Sequence, residues 1–263
     1  NGYKSLRSEV WRDTDRNRTG MLPFAFEGGM SYDRYVEYAL GVPMYFVARF
    51  DRPFEKSGVW KAGVVTAGEV SRKGSDIGGF MSFDASKGDP TKGNKVTVAI
   101  GLSFVSVEGA RKNLDAEAKT LDFDAARTAT EGVWEDKLSR MKLEARSARD
   151  LKIAYSALYH TLLMPTLATD VDGQYRGLDQ KEHAADGYRY HTDFSLWDTY
   201  RTLHPWLVLV YPEYQRDFLR SMTAMAKENG APPKWPLGIG ETQGMVGDSA
   251  AVVFGDSVAK GLR

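Results

Sequence analysis

Residues 191–247 read HTDFSLWDTYRTLHPWLVLVYPEYQRDFLRSMTAMAKENGAPPKWPLGIGETQGMVG, and this stretch decides the fold predicted for the second half of the chain. Ser195 starts a helical pattern that Pro205 interrupts, and Pro212 starts a second helix that ends at Gly230. The apolar stripe of that second helix comprises Phe218, Met222, Met225 and Ala226. A loop rich in proline and glycine follows it, so the stretch predicts helices joined by an irregular segment.

The open ends of these helices and the following loop carry aromatic, acidic and basic side chains. They are Trp197, Asp198, Arg201, His204, Trp235 and Glu241. A sugar-binding site needs this combination, because aromatic faces cover the ring, carboxylates bind hydroxyls and one carboxyl transfers a proton. Glu241 lies in the glycine-flanked sequence GIGETQG, which favours a carboxyl group open to a ligand and able to act as a general acid.

Each of these residues also has a structural interpretation that the sequence leaves open. Glu241 could be an exposed loop carboxylate that pairs with a lysine, and Trp197 could pack in a core. Ser195 and Asp198 have the spacing of a capping pair, and Arg201 is expected to form an intrahelical ion pair with Asp198.

Histidine spacing and the sequence DVDG bear on metal binding. The four histidines lack the spacing of a zinc site, and His160 is expected to be a hydrogen-bonded core or interface residue. The sequence DVDG at 170–173 predicts a turn, since most ligands of a calcium loop are absent.

The first half of the chain has the pattern of short strands. Strands are predicted at 44–50, 59–65 and 79–83, followed by a turn at 85–94. Apolar residues then alternate with small or polar ones over 96–102, which predicts a half-buried strand with one face on a core. Several short strands in succession favour an antiparallel β-sandwich. The charged segment at 1–35 carries no predicted chemistry.

The periodicity changes to a helical one at 123–141, with Asp122 as a plausible N-cap. Ser147 is expected to start another helix that Pro165 ends, and 166–190 is predicted to be a long loop. A last helix is expected from Asp248 or Ser249 to about residue 260.

These patterns predict three regions. The β-sandwich portion covers 1–112, a connecting helix covers 113–146, and a helical domain covers 147–263 with five or six helices in all after the junction.

Composition excludes several classes of protein. The 35 basic and 35 acidic residues balance, so the charge gives no reason to expect a nucleic-acid partner. No segment approaches the roughly 20 apolar residues that span a bilayer. The absence of cysteine excludes disulfides and thiolate metal sites.

Several long blocks of the sequence resemble glycoside hydrolase family 92, the calcium-dependent exo-acting α-mannosidases. They are, in chain order, MYFVARFDRPF, IGLSFVSVEGARKNLDAE, AYSALYHTLLMPTLATDVDGQYRG, FSLWDTYRTLHPWLVLVYPE and PPKWPLGIGETQGMVGD, within residues 44–263. The resemblance implies a β-sandwich joined through helices to an (α/α)6 barrel, of which this chain holds the end of the first and the first part of the second.

The resemblance also implies an inverting single displacement, in which one carboxylic acid protonates the leaving oxygen and a carboxylate activates water. It assigns the acid to Glu241, places Trp197 and Asp198 in the mannose subsite, and puts Trp235 on the same pocket. A calcium ion is implied at the sugar hydroxyls, with ligands that the sequence does not identify. The expected substrate is a mannose-containing oligosaccharide or N-glycan, and the expected location is the periplasm or cell exterior.

Departures from the family pattern limit what carries over. Gly240 replaces the usual asparagine before the Glu-Thr pair, and Asp248 follows Gly247 where the family commonly has histidine. Family members are much longer, so the base aspartate is expected outside this chain, on a missing C-terminal segment or a second chain. Two different functions stay open: another (α/α)6 glycosidase, or a non-catalytic carbohydrate-binding or assembly subunit.

Overall fold

The computed structural model describes residues 5–8, 43–74, 76–84 and 95–262. The predicted turn at 85–94 and most of the charged segment at 1–35 lie outside the described residues. The described part has mixed α and β content and divides into two units. Unit 1 runs to Phe123 and includes Asp170–Asp172, and unit 2 comprises Asp124–Thr169 and the residues from Gly173 onward.

The described residues of unit 1 form two three-stranded antiparallel sheets and one helix. Its elements are β1 (Ser5–Ser8), β2 (Tyr45–Phe50), β3 (Lys56–Lys61), β4 (Val64–Ala67), β5 (Ile77–Ser82), β6 (Val98–Ser103) and α1 (Val107–Glu117). The strand orders are β1-β2-β6 and β4-β3-β5. The strands predicted at 44–50, 79–83 and 96–102 therefore exist, each with bounds shifted by one or two residues.

The single strand predicted at 59–65 is wrong, because the chain turns in its middle. Ala62 and Gly63 both have positive φ, at 50° and 77°, and this geometry joins β3 to β4 as a hairpin. Valines on both sides of the turn make the sequence look like one continuous strand. Of the two turn residues, only Gly63 belongs to the types that such turns prefer, because Ala62 is neither Gly, Asn nor Asp.

The alternation along β6 was predicted correctly, but the buried face is not the apolar one. Val98, Ile100 and Leu102 are about half exposed at 46%, 56% and 52%, whereas Gly101 and Ser103 are buried. The small side chains face α1, and a Cβ atom at Gly101 would lie 2.2 Å from the carbonyl oxygen of Ala110. Close approach of the helix therefore requires a strand face of small residues.

Helix α1 is a feature that the sequence interpretation missed. It begins at the N-cap Ser106, whose hydroxyl accepts a hydrogen bond from the Gly109 amide at 2.9 Å. Its Ala110 and Leu114 form a buried cluster with Val47 of β2. Because α1 packs on this sheet, unit 1 extends past the boundary predicted at residue 112, and 113–146 is not one connecting helix.

Asp170–Asp172 belongs to unit 1 through side-chain hydrogen bonds. The buried carboxylate of Asp170 accepts from the Ser103 hydroxyl at 2.6 Å and from the Asn113 amide at 2.8 Å. Burial raises the pKa of Asp170, while these two donors act in the opposite direction. Asp172 pairs with Lys112 at 2.8 Å. The carboxylates of DVDG thus fix a turn, as predicted.

Unit 2 is mostly helical. Its helices are α2 (Phe123–Leu138), which begins at the unit boundary, α3 (Ala148–His160), α4 (Leu196–Thr199), α5 (Leu203–Val210), α6 (Pro212–Asn229) and α7 (Ser249–Ala259). Short two-stranded antiparallel sheets pair β7 (Thr166–Leu167) with β10 (His191–Thr192), β8 (Gln174–Arg176) with β9 (Glu182–Ala184), and β11 (Pro236–Leu237) with β12 (Gly240–Glu241).

Capping residues explain where these helices begin and end. The Ser147 hydroxyl accepts from the Asp150 amide at 3.1 Å, and the Asp248 carboxylate accepts from the Ala251 amide at 3.3 Å. Pro212 occupies the first turn of α6, and Gly230 ends it with a left-handed φ of 77°. These predicted boundaries are confirmed.

Two predictions about unit 2 need correction. The segment 166–190 is not a plain loop, because it contains β7 and the β8–β9 hairpin. His160 is exposed, not a core residue. Its ring lies beside that of Tyr159 at the end of α3, on the exposed side of the turn whose Leu158 is buried.

The interior of unit 2 is formed around α6. Phe218, Met222 and Met225 are buried, as predicted from their spacing. Three buried polar side chains lie in the same interior. His204 Nδ1 donates to Gln215 Oε1 at 2.9 Å, and Gln215 Nε2 donates to Ser257 Oγ at 3.1 Å. This polar chain links α5, α6 and α7 within the core. No helix of the described residues is long and apolar enough to cross a membrane.

Replacing Gly101 tests the packing of α1. Gly101→Val should lower the free energy of unfolding by about 3 kcal/mol, since the new side chain meets backbone that cannot move aside. The midpoint of urea unfolding measures the change. Gly132→Ala on exposed α2 is the matched control, because no atom lies within 4 Å of its Cβ position. Equal midpoints for both variants would contradict the close contact.

Candidate functional site

Trp197 and Asp198 lie in the first turn of the short helix α4, which follows Ser195. Both side chains are exposed, with Trp197 at 39%. The Ser195 hydroxyl donates to the Asp198 carboxylate and makes no hydrogen bond to the helix backbone. Ser195 thus orients the carboxylate of Asp198, and the capping interpretation of this pair is wrong.

The ion pair expected between Arg201 and Asp198 is not formed among the described residues. The guanidinium group of Arg201 lies over the Trp197 ring at 5.9 Å and over the Tyr200 ring at 5.0 Å, and it donates to the Tyr200 hydroxyl. Aromatic faces attract the cation here. Asp198 therefore keeps an accessible carboxylate beside an indole ring, as a sugar site requires.

Glu241 closes the loop that carries Trp235. Its Oε2 accepts from the Lys234 amide at 3.0 Å, and its Oε1 accepts from the amides of Trp235 at 3.1 Å and Gln243 at 3.0 Å. The lysine pairing considered for an exposed Glu241 is replaced by these backbone contacts. Glu241 and Trp235 are both half-buried.

Side chains from earlier in the chain hold the Gly238–Ile239 part of the same loop. Asp193 accepts from the Gly238 amide at 2.8 Å, and the Thr192 hydroxyl donates to the Gly238 carbonyl. The Gln180 amide donates to the Ile239 carbonyl at 2.6 Å. The tip of the loop thereby has a fixed position relative to β10.

The segment after Glu241 returns to α4. A Cβ atom on Gly247 would lie 3.6 Å from the Trp197 ring, so the chain passes directly beside the indole. Asp193, Gln243 and Met245 adopt positive φ angles of 61°, 56° and 64°, which are uncommon for residues with a side chain. Such conformations concentrate at binding and catalytic sites. The structure thus brings Gly247, six residues after Glu241, to Trp197.

A half-buried carboxylate that the sequence interpretation missed anchors this region. Glu228 of α6 accepts from the Tyr175 hydroxyl at 2.9 Å, the Leu178 amide at 2.9 Å and the Tyr190 hydroxyl at 3.3 Å. Burial raises the pKa of both tyrosines, so the phenols remain donors. The Tyr175 and Tyr190 rings stack 3.8 Å apart. Neither residue spacing nor a motif signals this arrangement.

Two histidines in unit 2 are kept neutral by burial. Loss of hydration lowers the pKa of His191 and of His204 from 6.5 to about 4. His204 donates to Gln215, and His191 Nδ1 donates to the Arg189 carbonyl at 2.8 Å. Both are structural residues of the core beneath the site.

The resemblance implies a calcium ion, and the arrangement of the carboxylates that the structure describes bears on such a site. Among the described residues, no three His, Asp or Glu side chains come together in a way that could hold a metal ion. Asp170 and Asp172 are engaged with unit 1 residues, and the carboxylate of Glu241 faces backbone donors.

Comparison with known families assigns residues 109–263 to the glycosyl hydrolase family 92 catalytic domain. This match covers more than half of the 263 residues. The chain belongs to glycosyl hydrolase family 92. The family resemblance expected from the sequence is therefore confirmed.

Solved structures agree with the family assignment. A family 92 α-mannosidase from Bacteroides thetaiotaomicron is 33% identical, with a TM-score of 0.75, over 85% of this chain and 30% of its own. An inverting family 92 mannosidase from the same organism is 26% identical, with a TM-score of 0.75, over 84% of this chain. The chain thus spans about 30% of the length of these structures.

A second family also matches the chain. Residues 1–158 match the glutamate-cysteine ligase family 2. The chloroplastic glutamate–cysteine ligase A of Oryza sativa subsp. indica is 56% identical over 59 residues, which are 22% of this chain and 12% of the ligase. The ligase of Nicotiana tabacum is 52% identical over 59 residues, 11% of its length. The amino-terminal part of the chain therefore carries a stretch similar to these ligases.

The structural match overlaps the ligase match. Coverage of 85% of the 263 residues amounts to about 224 residues, so at least about 69 of them precede residue 109. The structural similarity to the family 92 mannosidase therefore extends into the region that the ligase model also matches.

Removal of the Glu228 charge tests the anchor. Glu228→Gln should lower the free energy of unfolding by roughly 2 kcal/mol, because its new amide group faces donors that the carboxylate satisfied. Guanidinium unfolding monitored by circular dichroism provides the measurement. Glu135→Gln, at an exposed site on α2, is the control and should leave stability unchanged. A loss shared by both variants would argue against a specific anchor.

The buried histidines predict an acid-dependent loss of stability. The pKa of His204 is about 4 in the folded state and about 6.5 in the unfolded chain. Between pH 4 and pH 6.5 the unfolded chain therefore binds more protons than the folded one. Stability should be full above about pH 6.5 and fall towards pH 4, by at most roughly 3 kcal/mol for His204. His204→Asn should flatten this slope, measured as urea midpoints from pH 4 to 7. The exposed His160→Asn should not alter it.

Proposed function

We propose that this chain carries part of an exo-α-mannosidase that hydrolyses terminal mannose from oligosaccharides or N-glycans with inversion. The observation that carries the proposal is the approach of Gly247, at the end of the segment that follows Glu241, to the ring of Trp197, the neighbour of the exposed Asp198. Family membership and the mannosidase structures support it.

The proposed roles follow from the chemistry of each side chain. The Trp197 ring would cover one face of the terminal mannose, with Arg201 holding the indole from the other side. Asp198, oriented by Ser195, would accept hydrogen bonds from sugar hydroxyls. Trp235 would line the same pocket from the loop that Glu241 closes. These contacts select the sugar and fix its position relative to the groups that transfer protons.

The proton-transferring pair is assigned only in part. Inversion needs an acid and a base about 6.5–9.5 Å apart, so that a water fits between the base and the sugar. The acid role of Glu241 stays a prediction from the family resemblance. The base is proposed to lie outside this chain, which spans about 30% of the mannosidases it matches.

Calcium dependence and location belong to the same proposal. The resemblance implies a calcium ion at the sugar hydroxyls, and its ligands are proposed to lie outside the described residues. A periplasmic or extracellular location would give the enzyme access to glycans. The fold proposed for the complete enzyme is a β-sandwich followed by an (α/α)6 barrel.

Glutamate–cysteine ligation is a second candidate function because of the amino-terminal similarity. It is the weaker one, since the identical stretch covers only 12% of the rice ligase. Two more candidates are another (α/α)6 glycosidase and a non-catalytic carbohydrate-binding or assembly subunit. The first differs from the mannosidase in the glycoside cleaved, and the second differs in the absence of turnover.

Mannose release from α-linked mannobioses tests the proposal directly. The longer product of the gene should release mannose, this chain alone should release little or none, and a chelator should abolish release. Asp198→Ala should lower kcat/KM by roughly 100-fold or more, since the sugar loses a charged hydrogen-bond partner. Asp186→Asn, at an exposed position, is the matched control.

The competing candidate functions predict different results in the same assay. Release from α-glucosides instead of α-mannosides would favour another glycosidase. Mannose binding that survives without any turnover would favour a binding subunit. ATP-dependent joining of glutamate to cysteine would favour the ligase, and any of these outcomes would overturn the mannosidase proposal.

A further inference from the structure

The carboxylate of Glu241 accepts three hydrogen bonds from the backbone of its own loop. The Trp235 and Gln243 amides donate to Oε1 and the Lys234 amide donates to Oε2, at distances of 3.0 to 3.1 Å. Backbone amides outside regular ladders need acceptors from elsewhere. One side chain thus supplies the acceptors for three amides of this loop.

Glu241 and its neighbour Thr242 together fix both backbone groups of Trp235. The Trp235 amide donates to Glu241, while the Trp235 carbonyl accepts from the Thr242 hydroxyl at 2.8 Å and from the Thr242 amide at 3.3 Å. Gly244 completes the arrangement, since a Cβ atom there would lie 3.3 Å from the Trp235 ring. The backbone around this indole is thus held from both sides.

We propose that Glu241 is a positioning residue that clamps the loop 234–243 and thereby sets the place of Trp235 in the sugar site. The role rests on the proposed function, because Trp235 matters only if it contacts the sugar. It differs from the acid role that the resemblance implies. A general acid gives its proton to the leaving oxygen, whereas the clamp acts by accepting hydrogen bonds from the backbone of the loop.

Hydrogen exchange of this chain tests the clamp without any activity. In Glu241→Ala, the amides of residues 234, 235 and 243 should lose protection by at least tenfold, while α6 amides keep theirs. Glu241→Gln should lose part of it, since a carboxamide offers one acceptor oxygen in place of two. Glu144→Gln, exposed on the same unit, is the control. Unchanged protection of all three amides would overturn the proposal, whatever the enzyme does.

Kinetics of the longer protein distinguish the clamp from an acid. Loss of an acid slows substrates with poor leaving groups and spares those whose leaving group needs no proton. Loss of the clamp should reduce kcat/KM about equally for mannobiose and for 4-nitrophenyl mannoside, with a raised KM. Trp235→Ala should reproduce that pattern. A defect confined to mannobiose, with nitrophenyl activity retained, would identify Glu241 as the acid and overturn the clamp.

The two tests separate failure of the clamp from failure of the proposed function. Absence of mannosidase activity in every sample would reject the proposed function, while the exchange of the three amides would still judge the clamp. Loss of protection together with a leaving-group-dependent defect would reject the positioning role, because the same carboxylate would then donate the proton.

Discussion

Irregular backbone near a binding site has to find partners for its N–H and C=O groups, and here polar side chains provide them. Glu228 binds the hydrogen-bond donors of the hairpin before the site. The side chains of Gln180 and Asp193 hydrogen-bond to backbone groups of the 236–241 turn. Glu241 likewise accepts hydrogen bonds from backbone amides of its own loop. One carboxylate oxygen can accept hydrogen bonds from two amides at once, so these side chains hold a loop whose only regular structure among the described residues is the short β11–β12 pair. A loop held in this way suits a site that must hold a sugar ring in one orientation.

Local signals made the helical half predictable. A helix cap contacts only the adjacent turn, so it can be inferred from neighbours in the sequence. This holds for the helix starts at Ser147, Pro212 and Asp248 and for the helix end at Gly230. The orientation of β6 could not be inferred this way. Its small face binds α1, and that helix was itself missed because few apolar residues mark its buried side. The alternation along β6 was predicted correctly, but packing against α1 decides that the small face, not the apolar one, is buried.

The candidate site was predicted residue by residue, but its interactions were not. The sequence indicated Trp197, Asp198, Trp235 and Glu241 because of their residue types and the family resemblance. The pairing predicted between Asp198 and Arg201 was wrong, because a cation beside two aromatic rings has an attraction that helical spacing alone does not include. The anchor on α6 gave no sequence signal, since its carboxylate binds an amide 50 residues away.

This chain is similar to two families in different ways. The similarity to the ligases is a high identity over a short stretch, and the similarity to the mannosidases is an agreement of fold over most of the chain. A high identity over 59 residues shows that a short stretch resembles the ligases, yet 12% of an enzyme does not hold its substrates or its chemistry. Agreement of fold over 85% of the chain constrains many more contacts at once, although at 33% identity. The candidate site residues, on α4 and the 234–247 segment, lie within the family 92 match and beyond the end of the ligase match at residue 158. The candidate site therefore lies in the part of the chain that only the family 92 model matches, and this placement supports the proposed glycosidase role over the ligase one.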